Sequence, residues 1–189
     1  NNQWMDWRKL LLGFAKQFIA ITKARGDNTP GITCFVFDDT TLEKTGKTIE
    51  FIGKVFNHVT HLYPLGFKLL LLGFWDGKSL VATDCSLHRE KGKKKTCGMS
   101  KKELKSQFRK ERDPKSPAKK RVKELNMKKG DVAVSMLKRA VKNGLIANYV
   151  LMDSWFVNDY MIKSVRSIKK GAMHLLGMCK IDKRKYPVD

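Results

Sequence analysis

Two apolar runs of this chain close on aspartate: Ile32-Thr33-Cys34-Phe35-Val36-Phe37-Asp38-Asp39 and Ala147-Asn148-Tyr149-Val150-Leu151-Met152-Asp153. Short runs of β-branched and aromatic residues bounded by turn signals read as buried strands. A carboxylate at the end of such a strand sits at the rim of a sheet, where its oxygens suit a hard cation such as Mg²⁺ or Mn²⁺. Two rims can share one ion. A strongly basic segment separates the two runs, so the arrangement suits metal-dependent chemistry on a phosphate polymer.

Other residue groups with chemical potential are weaker. His58 and His61 stand three apart, and Cys85 and His88 likewise, but neither pair has the third and fourth ligands that zinc takes. The histidines read as structural or DNA-facing. Gly46-Lys47-Thr48 resembles the end of a phosphate-binding loop, yet Thr41 occupies the position where that loop needs its first glycine. Cys34, Cys85, Cys97 and Cys179 lack CxxC spacing and read as reduced structural thiols.

The elements that must position the acids follow from periodicity. Trp4, Trp7, Leu10, Leu11, Phe14, Phe18 and Ile21 recur at three- and four-residue steps, which predicts an amphipathic helix over 4–24 that covers the sheet or belongs to a preceding region. A Gly- and Pro-containing loop over 25–31 leads to a first strand at 32–38, and 40–48 reads as a turn. Residues 66–75 and 79–87 form two further strands joined by Asp76-Gly77, a dipeptide suited to a type I′ turn. Asp131 is the expected N-cap of a helix ending at Asn143-Gly144. A strand to Met152, a helix over about 155–169 with Trp155 and Phe156 among its core residues, and a last strand over 172–181 complete the chain. The fold class is therefore α/β: three antiparallel strands, then helix, strand, helix, strand, the order of a ribonuclease-H-like mixed sheet.

Composition sets the partner. The chain has 189 residues, 42% of them hydrophobic, and a net charge of +21. That is enough apolar material for a real core, and the charge points to nucleic acid through counterion release on phosphate neutralisation. Residues 89–129 carry 18 Lys or Arg against 5 Asp or Glu. This segment reads as a solvated basic insertion, with a helix near 100–112 broken by Asp113-Pro114 and Ser116-Pro117. Its candidate DNA contacts are Lys93, Lys94, Lys95, Lys101, Lys102, Arg109, Lys119, Lys120 and Arg121, joined by Lys44 and Lys47 after the first acid. No apolar stretch reaches the roughly 18 to 20 residues that span a bilayer, and no secretory leader pattern opens the chain, which predicts a cytoplasmic protein.

Phe37-Asp38-Asp39-Thr40-Thr41 with Lys44-Thr45-Gly46-Lys47, Asn57-His58-Val59-Thr60, Gly66-Phe67-Lys68-Leu69, Asp76-Gly77-Lys78 and Val150-Leu151-Met152-Asp153-Ser154-Trp155-Phe156 together resemble the DDE transposases of bacterial insertion sequences. The likeness spans most of 30–182. It implies a ribonuclease-H-like catalytic core at 30–182 carrying the basic insertion 89–129, a leading helix and loop at 1–29 and a truncated tail at 183–189. It further implies a bacterial, nucleoid-associated enzyme, an oligomer on DNA, that cleaves and transfers strands of double-stranded DNA at transposon ends. Asp39 and Asp153 become the first two metal-binding catalytic acids, with Asp38 as alternative or neighbour and Thr40 beside it. Two Mg²⁺ or Mn²⁺ ions roughly 3.5 to 4 Å apart would activate the nucleophile and stabilise the leaving oxygen. The family's third acid is a glutamate on a later helix, but no glutamate follows Glu124. The chain thus reads as a core fragment that binds metal weakly. A non-catalytic basic nucleic-acid-binding module and another ribonuclease-H-like nuclease, such as a junction resolvase, are the competing readings.

Overall fold

The computed structural model describes residues 2–24, 31–90 and 96–178. Their elements, in order, are α1 (Trp7–Ala24), β1 (Cys34–Glu43), β2 (Gly53–Lys54), β3 (Leu65–Trp75), β4 (Leu80–His88), α2 (Lys101–Ser106), α3 (Pro117–Glu124), α4 (Lys129–Lys142), β5 (Tyr149–Leu151), α5 (Asp159–Ser167) and β6 (His174–Leu176). A 3-10 turn, Ile168–Gly171, separates α5 from β6. Among the described residues no helix is long and apolar enough to cross a membrane.

The strands form one mixed sheet. β1 runs antiparallel to β3, β3 antiparallel to β4, β1 parallel to β5, and β5 parallel to β6. The order across the sheet is therefore β4-β3-β1-β5-β6, with two-residue β2 beside the start of β3. Alternation along the strands assigns the faces. Phe35, Phe37, Leu70, Leu72, Phe74, Val150 and Met152 all enter one core with Val132, Ala133, Met136 and Leu137 of α4 and Met161 and Val165 of α5. Val36, Leu71, Leu151 and Leu176 alternate with these and remain partly or substantially exposed. One face of the sheet is thus covered by helices, and much of the other is open.

The first strand differs from its expected form. It continues past Asp39 to Glu43, so 40–43 is strand rather than turn, and Asp39 lies in mid-strand instead of at the rim. The reason is tertiary: Asp38 through Glu43 are registered against Gly66 through Leu71, and that ladder holds a polar stretch extended. Gly66 permits the pairing, since a Cβ there would stand 2.3 Å from the carbonyl oxygen of Leu42. At the next hairpin Asp76 is not in positive φ; only Gly77 is, at 106°. The turn is not type I′, and Oδ1 of Asp76 accepts from the backbone N–H groups of Lys78 and Ser79 instead.

α1 also departs from expectation. Trp7, Leu10, Phe14, Phe18 and Ile21 face solvent, with Phe14 63% exposed, while Ala15 and Ile19 are buried. The inward stripe lies one residue round the helix and contains Arg8. Its guanidinium is held by Asp84, Glu124 and the carbonyl of Cys85. These ionic contacts set the rotation of the helix about its axis, and the larger apolar stripe is left outside.

The basic segment is anchored rather than freely solvated. Ser100 and Glu103 make a reciprocal capping box on α2, and Ser116 caps α3, whose first residue is Pro117. Pro117 therefore opens a helix. Between these helices the amide of Gln107 donates to the carbonyl of Ile52, and Arg112 pairs with Glu50. Leu125 packs with Ile52 and Phe67 in a second small core. α4 starts at Lys129, with Lys128 as its N-cap; Asp131 sits in the first turn and not at the cap. α5 begins only at Asp159, capped by Asn158, so Trp155 and Phe156 belong to the preceding turn. The last strand is short, and its expected continuation to 181, like the tail at 183–189, lies outside the described residues from 179 on.

Candidate active site

Parallel pairing of β1 with β5 brings the two acid-bearing segments side by side. Cys34, Phe35 and Val36 are registered with Tyr149, Val150 and Leu151. Continued by two residues, that register sets Asp38 level with Asp153, and Asp39 follows one residue on. The two candidate acids of β1 take opposite faces. Asp38 is exposed on the open side, where its Oδ1 accepts from the N–H of Asp39 at 2.8 Å. Asp39 shares the face of Phe35 and Phe37, beneath the start of α4.

There Asp39 meets a cation of this chain. Nζ of Lys129 lies 2.6 Å from Oδ2 of Asp39, and both side chains are largely shielded from solvent. The same ammonium stands 4.8 Å from the centroid of the Trp155 ring, within range of a cation–π contact. Trp155 in turn stacks on Phe156 with ring centroids 3.6 Å apart. Phe156 is buried against Phe37. Lys129 thus ties Asp39 of β1 to the turn that carries Asp153. Asp153 itself is exposed, and its Oδ1 accepts from the N–H of Ser154 at 2.6 Å.

Two further basic side chains line this end of the sheet. Lys68, registered against Thr41, is only 3% exposed, and its Nζ donates to Oγ1 of Thr41 at 3.1 Å. Burial, then the neighbouring charge of Lys129, pushes its pKa below the ordinary lysine value, and Asp39 opposes that shift. His88, its partner across β4, is buried, and burial followed by Lys129 lowers its pKa also. Sequence reasoning missed Lys68, His88 and Lys129 as members of this group. A lone lysine inside the apolar run 66–75 was a signal for the first. Nothing in the sequence distinguishes Lys129 from the other basic residues of its segment.

Carboxylate oxygens are the donors that Mg²⁺ and Mn²⁺ prefer, and Asp39 lies in β1 while Asp153 follows two residues after its parallel neighbour β5. In type these residues suit a hard cation, but the register sets Asp38, not Asp39, level with Asp153 on the open face, and Asp39 lies on the opposite face against Lys129. Among the described residues no group of three His, Cys, Asp or Glu side chains is assembled for a metal. Thr40 is exposed beside Asp39. Cys34, Cys85 and Cys97 are free thiols whose pKa values burial raises, in keeping with structural roles; Cys179 lies outside the described residues.

The candidate DNA contacts fall into two groups. Lys44 and Lys47, exposed after β1, lie in a connection stitched to the α2 region by Phe108 N–H to the Thr48 carbonyl, by Lys54 with Gly98, and by Glu50 with Arg112. Lys47 and Lys54 are close enough to α2 to help hold the Glu103 carboxyl below its ordinary range, after the hydrogen bonds from Ser100. Lys44, Lys47, Lys101, Lys102 and Arg109 therefore belong to one exposed unit. Lys119, Lys120 and Arg121 stand apart on α3, near α1 and β4. Lys93, Lys94 and Lys95 lie outside the described residues.

No family model matches this chain. No curated protein and no solved structure matches it either.

Proposed function

We propose that this chain is the central part of the catalytic core of a DDE transposase, with a ribonuclease-H-like sheet, acting on double-stranded DNA. The observation that carries the reading is the strand order β4-β3-β1-β5-β6, antiparallel on one side of β1 and parallel on the other. That order sets β1, which carries Asp38 and Asp39, beside β5, which ends two residues before Asp153. The sequence likeness to insertion-sequence transposases around these acids supports the same reading.

Asp39 and Asp153 would hold Mg²⁺ or Mn²⁺, which supplies Lewis-acid stabilisation of an in-line displacement at phosphorus. The sequence likeness favours Asp39 as the first acid, and Asp38, level with Asp153 on the open face, is the alternative. Lys44, Lys47, Lys101, Lys102 and Arg109 would bind the phosphate backbone. The exposed edge of Trp155, beside Asp153, would stack on an unpaired base at the cleavage point. The family's third acid is a glutamate and no glutamate follows Glu124, so strand cleavage is expected only when it is supplied from elsewhere.

Mn²⁺ titration of the wild type, Asp39→Asn and Asp153→Asn, followed by the paramagnetic signal of the free ion, tests this. Each substitution should weaken binding at least about tenfold, as loss of one charged ligand from a sparse oxygen site would. Unchanged binding in both would leave a basic nucleic-acid-binding module with no metal chemistry. The absence of a three-ligand group among the described residues is the observation on that side.

A further inference from the structure

We infer that a cavity beside α1 and α3 is a binding site for a single nucleotide unit, with the base on an aromatic and aliphatic lining and the phosphate on Arg121. The cavity, of about 240 Å³, lies where the start of α1 meets β3, β4, α3 and the loop at 50–51. It shares no lining residue with the group around Asp39 and Asp153, so the inference goes beyond the metal reading and does not depend on it.

Three observations lead to it. First, the lining offers an apolar bed for a flat ring. Phe67 and Leu125 are buried in the second small core, and Phe51, Leu87 and Val122 pack against them while staying partly exposed. These five side chains line the cavity, and half-exposed Trp7 adds a further aromatic surface. Aromatic faces take any base by stacking, because every base has a π-face. The volume falls below the roughly 300 Å³ at which sites for drug-sized ligands begin, so it suits one ring system rather than a peptide segment or a duplex.

Second, the cations of the lining are not equivalent. Arg8 is held by Asp84 and Glu124, and Arg112 by Glu50. Arg121 stands in the same lining and makes no ion pair among the described residues. A guanidinium with its fork unoccupied is the group that takes a phosphate bidentately. The carboxylates of this region are already engaged by Arg8 and Arg112, which leaves the charge of Arg121 for an anion from outside.

Third, Phe51 has a φ of 62°, in the left-handed region that a bulky residue seldom adopts. Contacts on both sides hold it there. The Ile52 N–H donates to the Ile49 carbonyl, the Ile52 carbonyl accepts from the amide of Gln107 at 2.7 Å, and Glu50 accepts from Arg112 and from the Lys110 N–H. The fold thus maintains a strained residue on the wall of a cavity, and strain of this kind gathers at ligand clamps.

A purely apolar ligand would leave Arg121 unpaired, and inorganic phosphate would leave the aromatic bed in water. A nucleotide satisfies both. The same chemistry comes from a free nucleotide or from an unpaired residue of a nucleic-acid strand, and probes of different length separate the two sources.

Isothermal titration of the whole chain with adenosine 5′-monophosphate, adenosine and inorganic phosphate tests this. The monophosphate should bind at one site, at least about tenfold more tightly than either part alone, and Arg121→Gln should weaken it at least about tenfold, as loss of a charge-assisted contact does. Lys16→Gln, which removes the same charge from an exposed position on α1, should bind as the wild type does. A second measurement needs no variant: photolabelling of the wild type with an azido-purine monophosphate, followed by mass spectrometry, should modify Trp7, Phe51 or their neighbours in the lining. A single-stranded trinucleotide with a 5′-phosphate that binds at least about tenfold more tightly than the monophosphate assigns the site to a strand, and equal affinity assigns it to a free nucleotide; either supports the pocket. Absence of saturable binding of the monophosphate, equal affinity for inorganic phosphate, equal loss in Lys16→Gln and Arg121→Gln, or labelling confined to residues outside the lining overturns the inference. None of these outcomes bears on the carboxylates, which the Mn²⁺ titration tests separately.

Discussion

The ammonium of Lys129, in the first turn of α4, rests 2.6 Å from Oδ2 of Asp39 in the middle of β1. This pair joins the helix layer to the central strand of the sheet, and it does so beside buried Lys68. Removing the carboxylate alone leaves two ammonium groups without their neutralising partner. Asp39→Asn should therefore destabilise the fold by about 1–3 kcal/mol, and the double variant with Lys129→Met should recover part of that loss. Urea denaturation of the four proteins of the cycle measures the coupling. Strictly additive effects would show that the pair contributes nothing to folding.

The rotation of α1 makes a second prediction. Ile19→Ala removes buried volume and should cost about 2–4 kcal/mol. Phe14→Ser, on the exposed stripe, should change stability by no more than about 0.5 kcal/mol. Thermal or urea unfolding of the two variants suffices. The reverse ranking would mean that the large aromatic stripe faces the core.

Stability should fall on acidification in two stages. Burial holds the folded-state pKa of His88 below the ordinary 6.5, so below that value the unfolded chain takes up a proton that the folded chain binds less well. Stability therefore begins to drop as pH falls through the upper part of this range. Glu50 follows. Its carboxyl is lowered by the hydrogen bond from Arg112, with burial opposing. For Glu124, burial alone would raise the pKa, but Arg8, Ser86 and Arg139 together take it below 4.5. The stabilisation from both carboxylates is complete above about 4.5 and is lost as pH falls through the folded-state values. Urea midpoints between pH 7.5 and 3.5 follow the decline. His88→Gln should flatten its upper part and Glu50→Gln its lower part; a profile identical to wild type in either variant refutes that assignment.

Gly66 supports the strand that carries Asp39. A methyl group there would meet the Leu42 carbonyl at 2.3 Å, and the atom in the way is backbone. Gly66→Ala should cost about 1–3 kcal/mol and should weaken the pairing of β1 beyond Asp39. Hydrogen exchange of the amides over 40–43 would show the loss of protection. Wild-type protection there would mean that the ladder adjusts without cost.

The exposed lysines after β1 and those of the α2 region form one unit, which leads to a prediction about DNA. Replacing Lys44, Lys47, Lys101, Lys102 and Arg109 by Gln should reduce the slope of log affinity against log salt by roughly 0.9 for each phosphate no longer neutralised. Fluorescence anisotropy with a short duplex at several salt concentrations gives the slope. An unchanged slope, with a fall only on replacing Lys119, Lys120 and Arg121, would move the interface to α3.

Much of the sheet was legible because its signals are local. The apolar runs ending at Asp39 and Asp153, the Asp76-Gly77 hairpin and the stop at Asn143-Gly144 follow from side-chain period and turn chemistry, which act within a few residues. The same runs indicated that two acids come from two strands. Chain-wide charge singled out the basic segment, since net charge needs no coordinates.

What tertiary structure alone decided are the long-range choices. Residues 40–43, polar apart from Leu42, became strand because β3 offered a ladder at Gly66 through Leu69. The stripe of α1 that faces inward was chosen by Arg8 reaching Asp84 and Glu124, partners 76 and 116 residues away in sequence. The partner of Asp39 is 90 residues distant and is one lysine among many. Periodicity tells which side chains share a face, but the energy that selects between faces and partners comes from contacts that exist only once the chain has folded.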